Sequence, residues 1–263
     1  MAKIKRGLMS IRGKMDGKVY VEVPGGTDYI RDVVAPGTKR DEPALKQQYV
    51  RAAFLNKLAA GISNILKFES DHNWHKDFYG QLLKRFRKHS SDNRFLLLSS
   101  LKGMNIHPIY SFDRVGGDQK VTVETGEQEF TVSVKVKAHT MKDDKRNCYC
   151  YQFLLMTWND SDEPPTYERQ YSDWIYPKKP KPEFDFSFKR EPGVVHWMLF
   201  EMKQMGWNDK AISVKQQGMR VAEVGTFNNE DLDLLKKYEE EERKKISAFQ
   251  RREKEIVRVK AKG

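Results

Sequence analysis

The apolar residues of this chain change their spacing once, near Ile106, and that change does most to limit the folds open to it. Upstream, over 42–68, Tyr49, Phe54, Leu55, Leu58, Ile62, Ile65 and Leu66 recur at steps of three and four, which gathers them on one side of a helix. Downstream the step is two. In the run EFTVSVKVKA, Val132, Val134 and Val136 alternate with Ser133, Lys135 and Lys137, and KVTVET precedes it across Thr125-Gly126-Glu127, the clearest hairpin signal in the sequence. Further strands are expected at 148–158, 167–176, 184–188 and 194–205, parted by the loops NDSDEPPT and YPKKPKPE. Short strands with polar turns and no helices between them point to an antiparallel sandwich or barrel and away from an alternating parallel sheet.

The expected fold class is therefore α+β. An antiparallel β-sandwich-like domain over 104–225 follows a β-hairpin arm over 1–41 and two or three helices over 42–103, and a charged helix over 226–263 comes last. In the arm, Val19, Tyr20, Val21 and Val23 make a half-apolar strand, and 29–34 returns beside it through the turn Pro24-Gly25-Gly26. Asp41 and Pro43 are start signals for the long helix. Ser70 or Asp71 is expected to cap a second helix with Trp74, Phe78, Leu82, Leu83 and Phe86 on one face. Asp92 then opens RFLLLSSLK, a helix or a buried strand that Gly103 closes. Asn228 or Asn229 is expected to cap the last helix, whose first turn holds Glu230 and Asp231.

A chain of 263 residues can bury a sizeable core. No stretch reaches the roughly 18 apolar residues that cross a bilayer, and MAKIKRGLMSIRGK lacks the apolar core of a secretion signal. A cytoplasm, or a virion assembled there, is the expected location. The net charge of +11 favours anionic partners. The excess gathers in the amino-terminal arm, the carboxy-terminal tail and a block at Lys84, Arg85, Arg87 and Lys88, with Arg94 shortly after. Basic residues in a helix's last turn also complement its dipole, so the block has a local reason to exist.

Sites for chemistry are sparse. Residues 7–14 fall short of a phosphate-binding loop, because five residues separate Gly7 from Gly13 where four are needed and Met15 stands where a hydroxyl would hold magnesium. His72 and His75, with Asp71 and Asp77 nearby, lack a third strong metal ligand. Cys148 and Cys150, two apart in an apolar run, read as small buried groups. Neither thiol sits beside an evident base, and no serine lies in a nucleophile elbow, so no catalytic residue, metal or cofactor is expected. Tyr149, Tyr151, Phe153, Trp158, Tyr167, Tyr171, Trp174 and Tyr176, with Lys178, Lys179 and Lys181 close by, fit a stacking platform for single-stranded nucleic acid. The same alternation builds sandwich cores and subunit interfaces, and packing is the favoured reading.

Gly7, Gly13 and Gly17, then Arg31, Pro36, Gln47 or Gln48, Arg51 and Phe54 form a glycine-punctuated strand pair, a proline turn and a Gln-Arg-aromatic helix. In this, residues 1–68 resemble the start of an uncharacterised family common in Bacteroidetes and their mobile elements, and similar arrangements occur in phage structural proteins. Gly37-Thr38-Lys39-Arg40 replaces that family's Asn-Pro-Arg-Thr type of turn. The resemblance implies a later run of β-strands and carries over no catalytic residue. The expectation is a non-enzymatic structural or interaction subunit of a larger assembly, such as a phage-like virion protein. Its partner-binding residues would be Leu232, Leu235, Tyr238, Ile246, Phe249, Arg251 and Arg252 of the last helix, and its partners other protein subunits, copies of itself included. The alternative is a basic nucleic-acid-binding protein using Lys84, Arg85, Arg87, Lys88 and Arg94.

Overall fold

The structure, a computed structural model, describes residues 2–4, 13–15, 18–21, 28–32, 43–70, 74–89, 91–115, 119–136, 147–161, 163–176, 183–207, 210–211 and 217–260. For 2–32, 44, 147, 210–211 and 249–260 it describes the backbone alone. The chain divides into two units, Met1–Ala53 and Phe54–Gly263. The fold is α+β with antiparallel sheets. No described helix is long and apolar enough to cross a membrane.

In the first unit, β1 (Ala2–Ile4), β2 (Gly13–Met15), β3 (Lys18–Val21) and β4 (Asp28–Asp32) form a four-stranded antiparallel sheet in the order β1-β4-β3-β2. The expected hairpin is its central pair, with Val19 opposite Arg31 and Tyr20 opposite Ile30. The two outer strands have three residues each, too short for a period-two signal to register in the sequence. The helix α1 (Pro43–Glu69) opens on the expected proline, while Asp41 lies outside the described residues.

The second unit is layered around one sheet. Its strands are β7 (Asn147–Asn159), β8 (Thr166–Tyr171), β10 (Val194–Trp207), β11 (Lys210–Ala211) and β12 (Gln217–Thr226). The order is β8-β7-β10, with β12 and the short β11 both on the far side of β10. One face meets α1, α2 (Phe78–Lys88) and α3 (Arg94–Ser99): Leu55, Leu58, Ile62 and Leu66 of α1 and Phe78, Leu82 and Phe86 of α2 pack on Leu154, Met156, Met198, Phe200 and Met219. The other face meets a three-stranded sheet, β5 (Gln119–Thr125), β6 (Glu129–Val136) and β9 (Glu183–Lys189), in the order β5-β6-β9. There Phe130, Val132, Val134, Phe186 and Phe188 pack on Tyr151, Phe153, Leu155, Trp197 and Leu199.

This layering explains two kinds of strand. β6 is covered on one face and alternates buried with open positions. β7 and β10 are covered on both, so CYCYQFLLMTW and VVHWMLFEM run apolar with little alternation. Each fully buried aromatic or large aliphatic contributes about 2 kcal/mol, so these two strands carry much of the stability. Cys148 and Cys150 are buried in β7 and are not joined in a disulfide.

Several boundaries differ from the sequence reading. α2 starts at Phe78, with Asp77 rather than Ser70 at its N-cap, and Trp74 packs on the core from outside the helix; Asp71 lies outside the described residues. RFLLLS is a helix, capped by Asn93 rather than Asp92: the Asn93 Oδ1 accepts from the Leu96 N–H at 3.0 Å. Gly103, at φ +75°, takes the left-handed conformation expected of it, and its N–H donates to the Val221 carbonyl. The strand expected over 167–176 stops at Tyr171. β12 has no counterpart in the sequence reading, because QGMRVAEVGT mixes glycine, charge and short apolar groups.

Gly218 in β12 is required by close approach. A Cβ there would lie 2.5 Å from the Phe112 Cα and 2.8 Å from the Ser111 carbonyl oxygen, backbone atoms of the short helix α4 (Phe112–Val115) and its lead-in. Backbone cannot step aside as a side-chain tip can. Gly218→Ala is expected to lower stability by about 1–2 kcal/mol, read as a lower urea midpoint with an unchanged slope.

Candidate interaction surfaces

The last helix, α5 (Asn229–Lys260), spans about 48 Å at 1.5 Å per residue. Asn228 caps it, its Oδ1 accepting from the Glu230 N–H at 3.0 Å. Asp231, in the first turn, does something the sequence does not reveal. It is only 5% exposed, and its carboxylate gathers three partners from three elements. His196 Nε2 of β10 lies 2.8 Å from Oδ2, the Thr226 hydroxyl at the end of β12 donates to the same oxygen at 3.3 Å, and Asn93 Nδ2 donates to Oδ1 at 2.7 Å. Asn93 thus caps α3 with its oxygen and holds α5 with its nitrogen. A carboxylate in the first turn also meets the positive end of the α5 dipole.

A buried His–Asp pair has the spacing of a catalytic dyad, yet this one is sealed. The His196 ring stacks on Phe95 at 6.1 Å between centroids, and its Nδ1 is buried without a hydrogen-bond partner among the described residues. A general base needs that nitrogen beside a proton it can remove. Here the pair is placed as a fastener.

Beyond the root, one row of α5 faces the body for three turns: Asp231 is buried, and Leu235, Tyr238 and Glu242 are half-buried. Tyr238 meets the His89 ring at 5.3 Å between centroids, tilted by 32°, and burial lowers the pKa of that histidine. The helical period continues the row through Ile246, which is 55% exposed. Every residue from Arg243 to Ala248 is exposed. Leu232 is 38% exposed; the side chains of Phe249, Arg251 and Arg252 lie outside the described residues.

The basic block divides. Gln81, Lys84, Arg85 and Lys88 fall on one face of α2, flanking the stripe of buried Phe78, Leu82 and Phe86. With Met104, Asn105 and Pro108 they line a cleft of about 330 Å³. Arg87 does not line it. Arg94 is elsewhere, its guanidinium donating to the carbonyls of Asn159 at 2.8 Å and Ser161 at 3.1 Å, where it braces the loop after β7. That loop reaches α1 at Gly61, where a Cβ would lie 3.0 Å from Pro165 Cδ, and beside it Phe54, Ile65, Trp158 and Pro164 line a mainly apolar cavity of about 320 Å³.

The aromatic row expected to form either platform or core separates the same way. Tyr149, Tyr151, Phe153 and Trp158 are buried, whereas Tyr167 and Tyr171 on the edge strand β8 are 48% and 56% exposed. Of the suggested metal ligands, His72 and Asp71 lie outside the described residues, and His75 meets His107 edge-on at 4.9 Å. Among the described residues no group of three or more His, Cys, Asp or Glu is placed to hold a metal ion.

A second polar cluster lies between the two sheets. Glu201 is 1% exposed, accepting from Gln119 Nε2 at 2.9 Å and from Arg220 Nε. Lys203, fully buried two residues along β10, has its ammonium 4.5 Å from the Tyr149 ring centre and 5.4 Å from that of Tyr151. Burial depresses the Lys203 pKa to about 8 and pushes the Tyr151 hydroxyl well up. The Glu-Met-Lys-Gln segment in an apolar run was the available signal for this cluster. Period alone does not say that its charges point inward.

No family model and no curated protein matches the chain. Among solved structures, a hypothetical protein from Pyrococcus horikoshii OT3 is similar at 16% identity over 44% of this chain and 96% of that one, with a TM-score of 0.26.

Proposed function

We propose that this protein is a non-enzymatic interaction subunit of a larger assembly, with α5 as its docking element. The observation that carries the reading is the contrast along that helix: a root locked by Asp231, and an outer part on which every side chain from Arg243 to Ala248 is open. An isolated helical segment gains little stability without packing, so an outer part that continues an apolar row is built to be covered. The row is thin and strongly basic: residues 243–263 hold nine Lys or Arg against two Glu. Two such segments would repel each other, which favours an acidic protein surface over a second copy. A phage-like particle is the assembly that the amino-terminal resemblance suggests.

The test is light scattering after size exclusion, with the full chain alone and mixed with the products of neighbouring genes. A chain cut after Glu242 should keep its melting temperature to within about 2 °C, because the side chains from Arg243 to Ala248 that it loses are exposed, and should lose the complex that the full chain forms. A full chain that stays monomeric in every mixture would remove the basis for this reading.

A further inference from the structure

The cleft beside α2 has the chemistry of a phosphate site, independently of α5. Its lining includes three cations, Lys84, Arg85 and Lys88, and no carboxylate. Several surface lysines elsewhere are paired, Lys102 with Glu223, Lys135 with Glu183, Lys189 with Glu191 and Lys245 with Glu242. Lys84, Arg85 and Lys88 form no ion pair among the described residues. Three like charges around one cavity repel one another, and folding alone gives no return for that arrangement. The dipole of α2 would accept basic residues anywhere in its last turn, as it accepts Arg87, so it accounts for the charge but not for its convergence on a cleft.

The neutral groups have matching polarity. Asn105 Oδ1 already accepts the Phe112 N–H at 2.8 Å, which fixes the amide and leaves its NH2 as donor. Arg85 is held by one donor to the Ser100 carbonyl at 2.7 Å, so its planar fork is positioned before any ligand arrives. Gln81 adds another amide. Met104 and Pro108 complete the lining with apolar surface, which an inorganic ion would not use and a sugar or base would. At about 330 Å³ the cavity is at the lower end of small-ligand sites.

We propose that Lys84, Arg85, Lys88 and Asn105 bind the phosphate of a nucleotide against Met104 and Pro108. The same chemistry is offered by a free mononucleotide and by one unit of a single-stranded nucleic acid. Purified full-length protein would be titrated, at about 50 mM salt where phosphate contacts are strong, with inorganic phosphate, with AMP and with a fluorescent ten-residue oligothymidylate. Saturable AMP binding with the oligonucleotide no tighter marks a free nucleotide as the ligand, and oligonucleotide binding at least tenfold tighter marks the nucleic-acid backbone. In either case Lys84→Glu/Lys88→Glu is expected to weaken binding at least tenfold, Asn105→Ala several-fold, and Arg87→Glu, on the same helix but outside the cleft, less than twofold. These are exposed or half-buried positions, and circular dichroism would verify that each variant is folded. Absence of saturable binding by AMP and the oligonucleotide, inorganic phosphate binding alone, or an Arg87→Glu loss equal to that of the double variant would overturn the site.

Discussion

Replacing Asp231 by alanine is expected to destabilise the protein by about 3 kcal/mol, since it strands the buried His196 donor and the half-buried Asn93 amide at once. His196 Nε2 and Asn93 Nδ2 both point at the carboxylate from positions water does not reach freely, at 2.8 and 2.7 Å. Their hydrogen bonds contribute modestly against solvent in the intact protein. Left without an acceptor, the buried His196 donor bears its full desolvation cost and the half-buried Asn93 amide a part of it. The loss should be read twice: as a fall in the urea midpoint, and as faster hydrogen exchange in the first turns of α5. Asp231→Asn should fall between the two proteins, because one oxygen remains while an NH2 now faces a donor. The exchange measurement separates a fastener from a general core contact. If α5 kept its protection while stability dropped, Asp231 would matter to the sheet and not to the helix root, and the lever on which the proposed docking depends would be anchored some other way.

That clamp also shows where sequence legibility ends. Elements with a strong period were readable: α1 from its three-and-four spacing, β5 and β6 from strict alternation, α5 from its cap and charge. So was the α+β class. What was not readable is pairing across distance. Nothing local relates Asn93, His196 and Asp231, which are brought together by α3, β10 and α5 meeting at one corner. The α2 cleft was half legible. Its cations stood out as a run, but only the fold separates Lys84, Arg85 and Lys88 from Arg87, assigns Arg94 to bracing a loop, and supplies Asn105 from another segment. β12 shows the reverse failure. Its strand character comes from bonding to β10 along Gln217–Thr226, with a register shift that lets Ala222 bulge, rather than from its own side chains.

Lys203→Met is expected to raise stability at neutral pH by about 2 kcal/mol, the opposite sign from most core substitutions. The ammonium is buried between the sheets, and burial depresses its pKa from 10.5 to about 8. A depression of that size corresponds to about 3 kcal/mol against folding while the amine is charged, and the contacts with the Tyr149 and Tyr151 rings that methionine gives up return about 1 kcal/mol. The direction with pH follows from proton counting. Between about pH 8 and 10.5 the unfolded chain holds the proton and the folded one sheds it, so the native protein gains stability as pH rises through this window and loses it again as pH falls through 8. The variant lacks that dependence, so its advantage should be full at about pH 6.5 and shrink by more than half by about pH 9.5. Paired urea titrations at the two pH values isolate the effect, since every other titrating group is common to both proteins. A variant less stable than the parent at both, by a constant margin, would mean that Lys203 is held charged by its surroundings at a net gain, and that this corner of the inter-sheet core is built around the cation rather than in spite of it.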